Sequence, residues 1–142
     1  MTKKIFFTFF VLILVAFSAD GLYKDGIYSG LSRAMYLDEP YYGVSKIAIE
    51  NGKVVEVHFS VRDSAKGILF DEKYERFFAG NEEYINQCRN DWKGINLYPD
   101  SFLKYQDLKK VDVISGATWS YNLFIASTQE ALSAAKKKKK NK

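Results

Sequence analysis

Residues 44–61 read Val-Ser-Lys-Ile-Ala-Ile-Glu-Asn-Gly-Lys-Val-Val-Glu-Val-His-Phe-Ser-Val, and the middle of that stretch sets the architecture. Before Asn51-Gly52, Ile47 and Ile49 alternate with Lys46 and Glu50. After it, Val55, Val57, Phe59 and Val61 fall in phase, with His58 on the opposite face. A period of two marks a strand with one buried side. Asn-Gly between two such runs accepts positive φ at both positions, as a type I′ turn demands. The stretch is a β-hairpin, Val44 to Glu50 paired with Lys53 to Val61.

Upstream, Asp25-Gly26 makes a turn, and Ile27 to Tyr36 is expected to form a further strand. Downstream the spacing turns helical. Phe70, Tyr74, Phe77 and Phe78 share one helical face that ends at Gly80. Asn81 is placed to cap the next helix, with Glu82 and Glu83 in its positive first turn. Tyr84, Ile85, Cys88 and Trp92 follow at apolar helical spacing, so Cys88 reads as a packing residue. Tyr98-Pro99-Asp100 reads as the opening of a separate short helix carrying Phe102 and Leu103. Beyond 111–120, Tyr121, Phe124, Ile125, Thr128, Leu132 and Ala135 mark one stripe of a last amphipathic helix. Strands first and helices later give an α+β fold, a small antiparallel sheet with helices packed on it in a single domain.

The two ends differ from the body. Lys3 and Lys4 precede the apolar run Ile5 to Phe17, which is short of the roughly 20 residues a membrane-spanning helix needs. Ala16-Phe17-Ser18 puts small residues at both positions a signal peptidase reads. Residues 1–18 are expected to be a signal peptide, cleaved after Ser18 or one residue later, with an uncleaved N-terminal anchor as the alternative. No cysteine lies near this junction, which closes the lipoprotein route. Residues 136–142 hold six lysines and are expected to be a disordered tail. Between the ends, residues 19–135 carry 13 Lys and Arg against 17 Asp and Glu. The +4 of the whole chain is therefore terminal, the body is acidic, and no nucleic-acid-binding face is implied. With 47% hydrophobic residues and only two prolines, collagen-like, disordered and disulfide-knotted classes are excluded. Cys88 and His58 are the sole residues of their kinds, which removes internal disulfides, multi-cysteine zinc sites and histidine triads.

Chemistry concentrates in Asp112-Val113-Ile114-Ser115-Gly116-Ala117-Thr118-Trp119-Ser120. A loop of small residues opening a helix offers free backbone N–H groups and the positive end of the helix dipole, a setting that suits phosphate. Gly116 and Ala117 let a ligand approach the backbone closely, and Ser115, Thr118 and Ser120 add hydroxyls. The same residues also suit an ordinary capping turn with Ser115 or Thr118 as N-cap.

An acidic residue, two variable positions, Ser-Gly-Ala-Thr and a hydroxyl residue shortly after resembles the mark of the FMN-binding domain family. That family includes the C subunit of the sodium-pumping NADH:quinone reductase and the G subunit of related ferredoxin-linked complexes. Asp25-Gly26-x-Tyr28-x-Gly30, Tyr42-Gly43 and the Asn51-Gly52-Lys53-Val54 turn are also similar to family patterns. The resemblance implies FMN as cofactor, joined through its phosphate to the Thr118 hydroxyl by an FAD:protein FMN transferase working outside the cytoplasm. It further implies that Ser115 and the amides of Gly116 and Ala117 hold the phosphate, that Asp112 positions the loop for the transferase, and that Ser120 is the trailing hydroxyl. Trp119 and Tyr121 are candidate aromatic neighbours, or core residues. Larger members carry Glu-Thr-x-Gly-x-Gly after the second hairpin strand. Here Arg62-Asp63-Ser64-Ala65-Lys66-Gly67 keeps one acid, one hydroxyl and one glycine. Asp63 and Ser64 are thus candidate flavin contacts, the alternative being a local ion pair of Asp63 with Arg62 or Lys66.

Two functions follow. One is an exported electron carrier of the periplasm or cell envelope rather than a substrate-converting enzyme. Its redox donor and acceptor are unnamed, and a membrane reductase complex is one candidate. The other is a secreted binding or envelope-interaction protein that uses the same fold without redox turnover, with Tyr41-Tyr42 beside Pro40 as its contact patch.

Overall fold

Asn51 and Gly52 both take positive φ, 51° and 74°, so the hairpin closes through the left-handed turn its dipeptide calls for. The computed structural model describes residues 21–32 and 38–137. Four strands form one antiparallel sheet in the order β1-β2-β3-β4. They are β1 (Gly26–Leu31), β2 (Tyr41–Glu50), β3 (Lys53–Asp63) and β4 (Ile68–Leu69). Asp25 ties β1 to the hairpin by accepting the amides of Asn51 and Gly52, each at 2.9 Å. The strand expected from Ile27 onward ends at Leu31, and residues 33–37 lie outside the described residues.

Two expectations for the hairpin and its sequel change. The register moves from Ala48 opposite Glu56 to Ile49 opposite Val54, a bulge that adds one residue to β3. Val54 and Val57 therefore face the core, while Val55 is 48% exposed and out of phase with its neighbours. Phe70 to Phe78 do not form one α-helix. Ile68 and Leu69 pair with β3, and a 3₁₀ turn spans Tyr74–Phe78. Phe70 and Tyr74 are buried in the core and Phe78 packs against it, but Phe77 is 43% exposed, its ring centroid 5.0 Å from that of Tyr74.

Helix α1 (Glu82–Tyr105) is capped by Asn81, whose Oδ1 accepts the Tyr84 amide at 3.2 Å. It continues past Pro99, so the separate short helix expected at Tyr98 is the end of α1. A proline inside a helix costs about 3 kcal/mol. Tyr98 and Phe102, each 1% exposed, bury large rings on either side of it, worth roughly 1.5–3 kcal/mol apiece. Burial wins.

Helix α2 (Thr118–Ala135) lies across β1 and β2. Phe124, Thr128, Leu132 and Ala135 of the expected stripe are buried, with Tyr121 and Ile125 packed at its edge. A second row, Ser120, Leu123, Ser127 and Ala131, is buried as well. Gly30 and Gly43 let the helix backbone rest on the sheet, because a Cβ there would meet Ser127 O at 2.0 Å and Leu123 O at 2.9 Å. Ser45 Oγ lies 2.7 Å from Ser127 Oγ and 2.8 Å from Thr128 Oγ1 within this contact. Lys136 and Lys137, expected in the tail, instead pair with residues 22 and 23 ahead of β1. Tyr23 bridges Lys136, and the Lys137 amide donates to Leu22 O at 3.2 Å, because backbone groups there find partners whatever the side chains are. Residues 1–18, expected to be a signal peptide, and residues 138–142 lie outside the described residues. Among the described residues no helix is long and apolar enough to cross a membrane.

Candidate functional site

The loop 111–117 enters α2 through a tight turn in which Gly116 takes φ +78°. Ala117 is the N-cap and has no side chain to cap with, so neither Ser115 nor Thr118 fills that role. The capping acceptor arrives from α1 instead. Asp91 Oδ1 accepts the Ser120 amide at 3.1 Å and the Ser120 hydroxyl at 2.9 Å. Gln87 Nε2 donates both to Asp91 Oδ2, at 2.7 Å, and to Gly116 O, at 2.9 Å. From the other side the Tyr98 hydroxyl donates to Ala117 O at 2.9 Å and accepts the Ile114 amide at 3.1 Å. Gly94 lies between them, where a Cβ would meet Ser120 Oγ at 2.8 Å. Gln87, Asp91, Gly94 and Tyr98 fall at i, i+4, i+7 and i+11, one face of α1.

Several loop groups are left free by this arrangement. The Ala117 amide is taken by Ile114 O and the Ser120 amide by Asp91. The amides of Thr118 and Trp119 and the hydroxyls of Ser115 and Thr118 make no hydrogen bond among the described residues. Asp112, Ser115, Gly116 and Thr118 are exposed; Ala117 and Ser120 are fully buried.

Beside the turn lies a cleft of about 220 Å³. Tyr41, Phe70, Phe78, Tyr84 and Trp119 form its aromatic walls, and Glu39, Gln87, Cys88 and Asp91 complete it. Trp119 meets Tyr41 edge-to-face at 5.3 Å and donates its indole N–H to Glu39 at 2.9 Å. Asp91 is 2% exposed, has no ion-pair partner among the described residues, and is held above the usual carboxylate range. Burial is the chief cause; the Gln87 and Ser120 hydrogen bonds oppose it and the Glu39 charge adds to it. A wider groove of about 380 Å³ runs over Tyr23, Phe102, Tyr121 and Ile125, but no residue of 112–120 lines it.

The other sequence candidates sit apart. Asp63 is fully buried, accepting the Tyr74 hydroxyl at 2.6 Å and the amides of Ala65 and Lys66, with Lys66 Nζ at 3.4 Å. That is the local ion pair, with Lys66. Ser64 donates its hydroxyl to Pro40 O. Neither lines the cleft. Asp63 is linked to it through Tyr74, whose hydroxyl lies 2.8 Å from that of Tyr41. Tyr41 is thereby half-buried in the cleft wall rather than part of an open patch. Sequence reasoning missed Gln87, Asp91 and Gly94. Their shared spacing with Tyr98 on α1 was the available signal.

Residues 43–133 match the family model described as the FMN-binding domain. Among solved structures, the crystal structure of the CPE2226 protein from Clostridium perfringens superposes with a TM-score of 0.62 at 21% identity. That match covers 80% of this chain and 88% of the other, and at such identity it speaks to the fold alone. No curated protein matches.

Proposed function

The chain belongs to the FMN-binding domain family and its cofactor is FMN; from that premise we propose that it is an exported electron-transfer module carrying FMN on Thr118. The residues present fit the group. Open amides at the start of α2 and the unpartnered Thr118 hydroxyl suit a phosphate, and the neighbouring cleft suits a flat ring. One observation carries the reading: the exposed Thr118 hydroxyl, one residue past the N-cap of α2, makes no hydrogen bond among the described residues.

FMN supplies reversible electron transfer when bound. The protein's residues supply the rest. Thr118 anchors the phosphate end, with Ser115 beside it. The walls formed by Tyr41, Phe70 and Trp119 exclude water and orient the ring, while Gln87 offers a polar contact at the cleft's edge. The N-terminal lysines, apolar run and Ala-x-Ser site support export to the periplasm or envelope, where an FAD:protein FMN transferase is the partner that loads it. A redox donor and an acceptor are the remaining partners.

The test is co-expression of the full chain with such a transferase, followed by a denaturing gel viewed for flavin fluorescence. Mass analysis of the peptide containing Ser115 to Tyr121 is expected to show one added FMN, and the purified protein to bleach and recover on reduction and reoxidation. A colourless band refutes covalent attachment. Flavin that resists reduction refutes the carrier role.

A further inference from the structure

The attachment turn keeps its shape through α1 rather than through its own side chains. Asp91 replaces the missing cap by accepting from Ser120, Gln87 joins Asp91 to Gly116 O, and Tyr98 holds the backbone at 114 and 117. Gly94 keeps the two elements close enough for all three contacts. A side-chain cap within the turn would take up the hydroxyl of Ser115 or Thr118. A cap supplied from α1 leaves both without a partner among the described residues. We propose that Asp91 is a positioning residue for flavin attachment: with Gln87 it fixes the 115–118 turn so that the Thr118 hydroxyl is presented, unbonded, to the incoming phosphoryl group.

This rests on the reading of Thr118 as the attachment site. In that step Thr118 Oγ forms a bond to the FMN phosphorus of FAD, the pyrophosphate bond breaks, AMP leaves, and the hydroxyl proton passes to a base of the transferase or to water. Asp91 touches none of the reacting atoms. Its effect is on where Thr118 Oγ stands, and a displacement of about 1 Å at a reacting group can cost on the order of a hundredfold in rate. Gln87 is the more informative partner, because it is exposed and bonds the turn directly, so its removal loosens the turn without opening the core.

The experiment follows loading rate against acceptor concentration for the full chain, using FAD and an FAD:protein FMN transferase, with gel fluorescence and melting temperature as readouts. Asp91→Ala and Gln87→Ala are expected to lower kcat of loading by about tenfold to a hundredfold, with KM for the acceptor within about twofold of wild type. Asp91→Asn keeps an oxygen for Ser120 but loses the acceptor for Gln87, and is expected to recover part of the rate. Should Asp91→Ala fail to fold, Gln87→Ala still decides the matter. Wild-type kcat in Gln87→Ala, or wild-type loading by a folded Asp91→Ala, overturns the proposal while leaving Thr118 in place. A rise in KM at unchanged kcat makes the pair a docking contact and also overturns it. Fluorescent Thr118→Ala, run alongside, overturns the attachment reading and this proposal with it.

Discussion

A methyl group placed on Gly30 would stand 2.0 Å from the carbonyl oxygen of Ser127, and 2.5 Å from the amide nitrogen of Ala131. The obstacle is helix backbone, which cannot swing aside as a side chain does. Gly30 on β1 is therefore the seat of α2, and α2 carries the 115–118 turn at its N-terminus. Gly30→Ala is expected to cost at least about 1–3 kcal/mol, the range for overpacking a filled core. Urea denaturation should show a lower midpoint with an unchanged slope. A midpoint equal to wild type would mean that α2 does not sit on β1 in this way.

Asp63 gives the fold an acid limb. Burial works to raise its carboxyl, but the Tyr74 hydroxyl, the amides of Lys66 and Ala65 and the Lys66 ammonium outweigh it and hold the group below 3.8. A carboxyl whose folded pKa is depressed contributes stability above the unfolded value, lost as pH falls through the folded one. Stability should thus decline below about pH 4, in the window that opens under the unfolded carboxyl value. Asp63→Asn should be less stable at neutral pH and show a shallower acid decline. An identical acid limb in wild type and variant would remove Asp63 from the account.

The hairpin, the Asn81 cap and the last helix were legible because each rests on local chemistry: positive φ at Asn51-Gly52, an Asn side chain before two glutamates, a 3.6-residue stripe. What misled was tertiary override. Pro99 looked like a helix start because its missing N–H suits one, yet Tyr98 and Phe102 bury deeply enough to carry α1 through it. The bulge at Ala48/Ile49 shifts the phase of β3 without any glycine to announce it. At the site, 112–120 was legible as a phosphate-suited loop. Its support from Gln87, Asp91 and Gly94 joins segments some 29 residues apart, as Asp91 and Ser120 are; their spacing marks one face of α1 but does not say what that face meets.

Lys136 and Lys137 belong to the fold through their backbones. Ending the chain after Lys137 should leave melting temperature and flavin loading unchanged. Ending it after Ala135 removes the Lys137-to-Leu22 bond and the Tyr23 bridge, and should cost about 0.5–1.5 kcal/mol per backbone bond lost while sparing loading. Loss of loading in either truncation would assign the lysines to transferase recognition instead.

Cys88 stands in the cleft wall yet should react slowly. Burial, followed by the charges of Asp91 and Glu75, pushes its thiol up to about 11. Little thiolate then exists at pH 7, and the thiolate is the nucleophile. Iodoacetamide should label the native protein far more slowly than the urea-unfolded chain. Labelling at the unfolded rate would show the cleft to be open at Cys88.

Thr118 is the residue on which the functional reading stands or falls. It is the first residue of α2, exposed, with a hydroxyl that bonds to nothing among the described residues. Removing that hydroxyl should therefore cost the fold almost nothing, and the melting temperature of Thr118→Ala should match wild type. Attachment should vanish, because no other hydroxyl of the turn occupies the same place: Ser120 is buried and bonded to Asp91. Thr118→Ser keeps the acceptor oxygen and should load, more slowly for want of the methyl that restricts its rotamer. Ser115→Ala removes one contact near the phosphate and should slow loading by about tenfold or less, the scale of a single hydrogen bond. Gel fluorescence of the four proteins, each co-expressed with the transferase, reads all of this at once. A bright Thr118→Ala band with a dark Ser115→Ala band would move the flavin to Ser115, three residues along the same turn.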